Sequence, residues 1–251
     1  MTSTPATPRE SRRRPRRAAL LLATAAAVSA VALLTGCAAS APQVGPNTTT
    51  APDAAADVPR DAAPQGLKPL GPGFLGSVTT PSPEATITPE VGSWDGVTPP
   101  PGYRVILLSA GDDAATATLV TAVTNWARST GVDLQAMTAS NDDGIEADIE
   151  KAVELEPDLV VSAGDKMIDV LMLLSSQHLN QQFLVVGSEL PEPTGNVTSV
   201  TWPGATFRGT GLGAADQPDP AAITPERAAA AVPAGVASVL HGLTGIVVRL
   251  E

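Results

Sequence analysis

The chain holds one cysteine and two histidines, so nucleophilic and metal chemistry have few places to sit. Cys37 closes the run Leu34-Thr35-Gly36-Cys37. An aliphatic residue and two small ones let the backbone enter a peptidase cleft at a membrane surface. The thiol behind them is then the nucleophile that accepts a diacylglyceryl group. A second set of candidates is polar and recurs after apolar runs. It comprises Ser109, Asp112 and Asp113; Ser140, Asn141 and Asp142; Ser162, Gly164, Asp165 and Lys166; and Ser188 with Glu189. Hydroxyls and carboxylates in such places accept hydrogen bonds from sugar hydroxyls or from an amine, and they repel phosphate. Asp112, Asn141 and Asp165 suit helix N-caps better than they suit ligand contact, and the ligand reading stands beside that one. The ligand-contact set is therefore Asp112, Asp113, Asn141, Asp142, Asp165 and Glu189.

Other chemistry finds no support. The sequence has no Gly-x-Ser-x-Gly elbow, no His-Glu-x-x-His and no phosphate loop. His178 follows an apolar helical run and His241 ends another, where a cation suits the helix dipole. The acids Asp142, Asp143, Glu146, Asp148 and Glu150 lie along one helix without an oxygen-ligand loop, so a solvated face is expected rather than a cation site. Gly209-Thr210-Gly211-Leu212-Gly213 does not open a βαβ unit and reads as small-residue packing. Asp112, Asp113 and Asp165 imitate a phosphoacceptor receiver, but Trp202-Pro203 stands where its lysine would follow the fifth strand. No enzyme, cofactor or metal is expected.

The elements that must position these residues are legible from residue 102 onward. Tyr103–Leu108, Val132–Thr138, Asp158–Val161, Gln182–Val186, Val197–Trp202 and Ile246–Leu250 read as strands. Between them run helices. The first starts at Asp112 or Asp113 and ends at Gly131. The second is capped by Asn141 and Asp142 and stopped by Pro157. The third is opened by Asp165 and runs through Leu174. The last begins at Thr224-Pro225-Glu226, ends at Gly242 and should be kinked or split by Pro233. Strands alternating with helices through short loops predict an α/β fold, a single mostly parallel sheet flanked by helices. The polar candidates then fall at the carboxyl ends of the strands, where such sheets bind ligands.

The rest of the chain is organised differently. Six arginines (Arg9, Arg12, Arg13, Arg14, Arg16 and Arg17) precede an uncharged run from Ala18 to Leu34, which ends at Cys37. This resembles a bacterial lipoprotein signal, residues 1–36, with Cys37 as the lipidated first residue of the mature protein. Two acyl chains, at about 0.8 kcal/mol per buried methylene, anchor a protein stably. Arg16-Arg17 leaves the twin-arginine and general export routes both open. Residues 37–101 contain 13 of the 24 prolines and predict an extended tether, with Leu67, Leu70, Phe74, Leu75, Trp94 and Val97 as exceptions able to dock. Residues 102–251 are expected to fold without it. Without residues 1–36, nine basic residues face 25 acids, which excludes a nucleic-acid footprint. Seven aromatics in all leave little for stacking bases. Asn47-Thr48-Thr49 and Asn196-Val197-Thr198 match the glycosylation sequon incidentally.

One stretch carries a family resemblance. Glu156-Pro157-Asp158-Leu159-Val160-Val161-Ser162-Ala163-Gly164, then Gln182-Phe183-Leu184-Val185-Val186-Gly187, then Asn196-Val197-Thr198-Ser199-Val200-Thr201-Trp202 followed by Phe207-Arg208-Gly209, resembles the basic-membrane-protein (BMP) family. These are type I periplasmic binding proteins, lipoproteins that bring solutes, often nucleosides, to ABC transporters. The resemblance covers roughly residues 103–213. It implies a solute-binding lipoprotein on the outer face of the cytoplasmic membrane, with an ABC-transporter permease as partner and a nucleoside-like ligand. The family has two lobes, and 150 residues suffice for one. Its first loop commonly carries Phe and Asn, which Gly111-Asp112-Asp113-Ala114-Ala115-Thr116 lacks. The alternative is a surface-displayed interaction module that has lost its ligand and binds another envelope protein.

Overall fold

Apolar runs rich in branched residues form the inner strands, and Gly111, Gly164 and Gly187 follow three of them directly. In the computed structural model, which describes residues 66–210 and 219–251, they are β2 (Arg104–Ala110), β3 (Asp133–Ala139), β4 (Leu159–Ala163), β5 (Phe183–Val186), β6 (Val197–Thr201) and β7 (Val247–Arg249). The helices are α1 (Ala114–Thr130), α2 (Asp142–Glu154), α3 (Ile168–Ser175) and α4 (Pro225–Leu240). Cys37 and the signal segment lie outside the described residues. With a short strand β1 (Thr86–Ile87), the strands make one seven-stranded, wholly parallel sheet in the order β1-β7-β6-β5-β4-β2-β3. The expected fold class holds.

β1 corrects the expected tether. Its two residues pair with Val247 and Val248, and they come from the Pro-rich stretch. The segment from Leu67 to Val97 lies against the sheet as a strap. Phe74 is 2% exposed, Ile87 0%, Trp94 7% and Val97 6%. Gly71 N–H donates to Ser93 O, Glu90 N–H to Gly73 O, and the His241 ring contacts Lys68 O at 3.1 Å. The composition suggested a chain without enough apolar surface to order itself. What orders it is a second surface: isolated large side chains fill hollows on a sheet that already exists.

Each face of the sheet has its own core. α1 and α4 pack on one face with Leu107, Val161, Leu184, Val200, Val248 and the strap residues. α2 and α3 pack on the other with Leu108, Val160, Phe183 and Val185. This arrangement fixes the hand of the crossovers. β2-α1-β3 steps one way along the sheet over the first face, and β3-α2-β4 and β4-α3-β5 step the other way over the second face. All three therefore share one hand. β6-α4-β7 steps in the second direction over the first face, so it has the opposite hand, which is rare among parallel connections. The extended connection 187–196 runs between β5 and β6 without a helix.

α4 fits because it is small-sided. Gly235 lies so close to the sheet that a Cβ there would stand 2.5 Å from Val200 Cγ2 and 2.6 Å from Leu184 Cδ1. Pro233, expected to kink or split α4, does not split it: the helix runs unbroken from Pro225 to Leu240. Buried Ala228, Ala231 and Val232 hold one half, and Ala234, Val236 and Ala237 hold the other, so packing overrides the missing N–H. Asp165, expected to open the third helix, instead starts a 3-10 turn (Asp165–Met167) that leads into α3.

Candidate functional site at the carboxyl edge of the sheet

Parallel strands bring all their carboxyl ends to one edge, and the predicted residues stand there. They separate into groups. β2 and β4 are neighbours, so the loop after β2 meets the turn after β4. Asp113 is the N-cap of α1. Its carboxylate accepts the Thr116 N–H at 2.9 Å and the Thr116 hydroxyl at 3.0 Å. It also pairs with Lys166 Nζ at 2.9 Å. Partial burial pushes the Asp113 carboxyl up, but the Thr116 N–H, the Lys166 ammonium and the Thr116 hydroxyl together outweigh it and hold the pKa at about 2. Asp113, and beyond it Asp165 and Asp112, in turn raise the pKa of Lys166. The lysine reaches back over Gly111, whose absent Cβ would lie 2.4 Å from Nζ; Gly111 also has φ of 77°. Lys166 thus sits at the ends of β2 and β4, paired with Asp113 and within the electrostatic reach of Asp165 and Asp112.

Asn141 is the N-cap of α2 and accepts the Gly144 N–H at 2.8 Å. Asp142 is exposed in the first turn of that helix. Both stand beyond β2, at the outer strand β3. Glu189 belongs to the other side of the sheet. Its half-sunken carboxylate pairs with Arg208 Nε at 3.0 Å, while its backbone N–H donates to Phe207 O. Burial raises its pKa, and Arg208 and Arg249 oppose the rise. The six candidates therefore do not converge on one point. Asp112, Asp113 and Asp165 gather around Lys166, Asn141 and Asp142 flank them, and Glu189 holds the 205–208 segment.

Sequence reasoning missed three partners. Lys166 was visible beside Asp165, but its reach to Asp113 depends on β2 and β4 being adjacent. Arg208 pairs across a connection whose path no local pattern reveals. Asp169 accepts both the Thr210 N–H at 2.8 Å and the Thr210 hydroxyl at 2.7 Å, tying that segment to the first turn of α3. Among the described residues no group of three His, Cys, Asp or Glu is placed to hold a metal ion.

The cap and the ion pair at Asp113 separate experimentally. Asp113→Ala removes both and should lower stability by about 1 kcal/mol, the usual worth of an N-cap. Asp113→Asn keeps a capping oxygen and removes the charge, so at pH 7 it should cost less. Because the folded pKa lies below the ordinary carboxylate value, the charged group stabilises above about pH 4. That contribution is lost as pH falls toward 2. Urea unfolding from pH 7 to pH 2 should show this acid loss in the parent and less of it in Asp113→Asn.

No protein-family model matches this sequence, and neither does any curated protein. Among solved structures, an ABC-transporter solute-binding protein from Aeropyrum pernix K1 is similar at 20% identity and a TM-score of 0.36, over 40% of this chain and 28% of that one. A 5-methylthioribose transporter solute-binding protein from Thermotoga lettingae TMO is similar at 18% identity and a TM-score of 0.34, over 39% of this chain and 31% of that one. A periplasmic ribose ABC transporter protein from Conexibacter woesei is similar at 12% identity and a TM-score of 0.31, over 60% and 54%. In each case this chain spans less than two thirds of the other protein's length.

Proposed function

We propose that this chain is an exported lipoprotein, anchored through Cys37, whose α/β domain holds a small polar solute at the carboxyl edge of its sheet. The observation that carries the reading is the cluster of Asp112, Asp113 and Asp165 at the one place where the strand order turns back, between β2 and its neighbours β3 and β4. Open parallel sheets bind ligands at that position. The chemistry favours a ligand rich in hydroxyls or carrying an amine, such as a nucleoside, over a phosphate. Membership of the BMP family and delivery to an ABC-transporter permease belong to the same proposal and rest on the sequence resemblance.

A single wall encloses little of a ligand, whereas pockets commonly bury 70–90% of one. Calorimetry with a nucleoside panel is therefore expected to give Kd of about 0.1–1 mM, near −4 to −5.5 kcal/mol. Asp112→Ala and Asp165→Ala should each weaken the binding several-fold, and Glu189→Gln should not. Mass spectrometry of molecules released from gently purified protein tests the ligand class independently. If no panel member binds and nothing is released, the solute reading is lost and the ligand-free interaction module takes its place.

A further inference from the structure

The outer edge of β3 is built to pair. β3 ends the sheet and touches only β2. Asp133 N–H donates inward to Tyr103 O, and Ala139 O accepts inward from Gly111 N–H. Alternation along a strand then turns the N–H and C=O of Asp133, Gln135, Met137 and Ala139 toward β2. The N–H and C=O of Leu134, Ala136 and Thr138 turn outward. Among the described residues none of these six groups has a backbone partner outside its own strand. Natural edges are usually blunted by Pro, Lys, a bulge or an inward charge. This one has none of them: from Leu134 to Ala139 it is uncharged, regular and without proline.

We propose that β3 pairs antiparallel with β3 of a second copy of this chain, about a two-fold axis through Ala136, so that two sheets become one. The geometry is self-complementary. With Ala136 opposite itself, Leu134 falls opposite the partner's Thr138, and all six outward groups exchange hydrogen bonds. The lone charge, Asp133, falls opposite the partner's Ala139, so like charges do not meet. The neighbouring helix agrees. Glu150 of α2 reaches His178 beyond α3 at 3.1 Å, which identifies the flank of α2 turned toward α3. The opposite flank carries Gly144, Asp148, Lys151 and Leu155, spaced by four, three and four residues. Leu155 is among the few large apolar side chains left exposed. Strands lie about 4.8 Å apart, so α2 and its copy come to roughly 10 Å, an ordinary helix-packing distance. Running antiparallel, they set Asp148 of each against Lys151 of the other. This interface does not depend on the solute reading.

The test uses the detergent-solubilised full chain and light scattering for mass. The parent is expected to have twice the protein mass of a monomer at tens of micromolar. Ala136→Pro removes only an outward N–H, a change edge strands tolerate, and should leave a folded monomer. Ala136→Lys sets two ammonium groups face to face at the axis and should weaken the dimer at least tenfold, with partial recovery in high salt. Circular dichroism and the unfolding midpoint establish that each variant is folded. In a Cys37→Ser background, Ala136→Cys should form a disulfide-linked dimer under mild oxidation, and Glu154→Cys should not. A parent that stays monomeric at 100 µM overturns the proposal. So does a dimer that survives both Ala136 variants, or equal cross-linking at residues 136 and 154.

Discussion

A chain shortened to begin at residue 102 is expected to fail to fold. The Pro-rich composition ahead of that point marks it as a domain boundary, yet the strap crosses it and is part of the core. Removing residues 66–101 strips away Phe74, Ile87, Trp94 and Val97, all buried on the α4 face. Full burial of such side chains is worth about 1.5–3 kcal/mol each. Together they rival the roughly 5–15 kcal/mol that separates a typical domain from its unfolded state. The truncation also leaves β7 an open edge, since β1 covers its outer side. A chain beginning at residue 66 should unfold cooperatively in urea with a resolved midpoint. One beginning at residue 102 should show no such transition or should aggregate. Phe74→Ala alone should cost about 3–5 kcal/mol. Equal midpoints for the two chains would show that the strap is a passive covering.

Replacing Asn196 is expected to have the next largest effect. The residue is 2% exposed. Its amide nitrogen lies 3.0 Å from each of three carbonyls, Ser175 O, His178 O and Gln181 O. Its amide oxygen accepts the Thr194 hydroxyl at 2.5 Å. Its own carbonyl accepts from Phe183 N–H. One side chain thus closes the end of α3 and carries the chain into β6. Asn196→Ala takes the side-chain donor from Gln181 O and leaves Ser175 O and His178 O with only the backbone N–H groups of His178 and Gln181. At about 1–3 kcal/mol for a buried group left unmet, a loss of roughly 2–3 kcal/mol is expected. Asn196→Asp should be worse, because it places a charge against three oxygens that can only accept. Equal urea midpoints for Asn196→Ala and Asn196→Asp would contradict this. The same burial makes Asn196-Val197-Thr198 inaccessible to glycosylation once the domain has folded.

Much of the fold was legible because its strands are buried on both faces. Val105–Leu108, Leu159–Val161 and Phe183–Val186 are unbroken apolar runs between turn residues. Gly131 ends α1 in the left-handed conformation at φ of 74°, as its position suggested. β1 was not legible. Two residues carry no period, and Thr86-Ile87 becomes a strand only because β7 presents an edge. Pro233 does not split α4 for a related reason: its missing N–H argues for a break there, and packing on both sides of it keeps the helix continuous. At the site, sequence reasoning located the right loops and left open whether their polar residues face a ligand. The structure gives Asp113 and Asn141 to helix capping, the reading weighed beside ligand contact from the start. Glu189 was read with the strand-end group and belongs with Arg208, because the connection from β5 carries it toward β6. In the segment that resembles the BMP family, Asn196, Ser199 and Trp202 are interior residues. What that segment encodes in this chain is the inside of the sheet.

The pairing of β1 with β7 also sets an order of events. Synthesis runs from the N-terminus, so Phe74, Ile87 and Trp94 emerge early, but Thr86 cannot seat until Val247 has been made. No shorter nascent chain can bury those side chains where they finally rest. Contacts so distant along the chain close slowly, and a nascent chain with exposed apolar groups is a ready substrate for holding chaperones and for aggregation. The synthesis of β7 therefore releases the strap from waiting, and the core on that face closes only once Val247 and Val248 are in place.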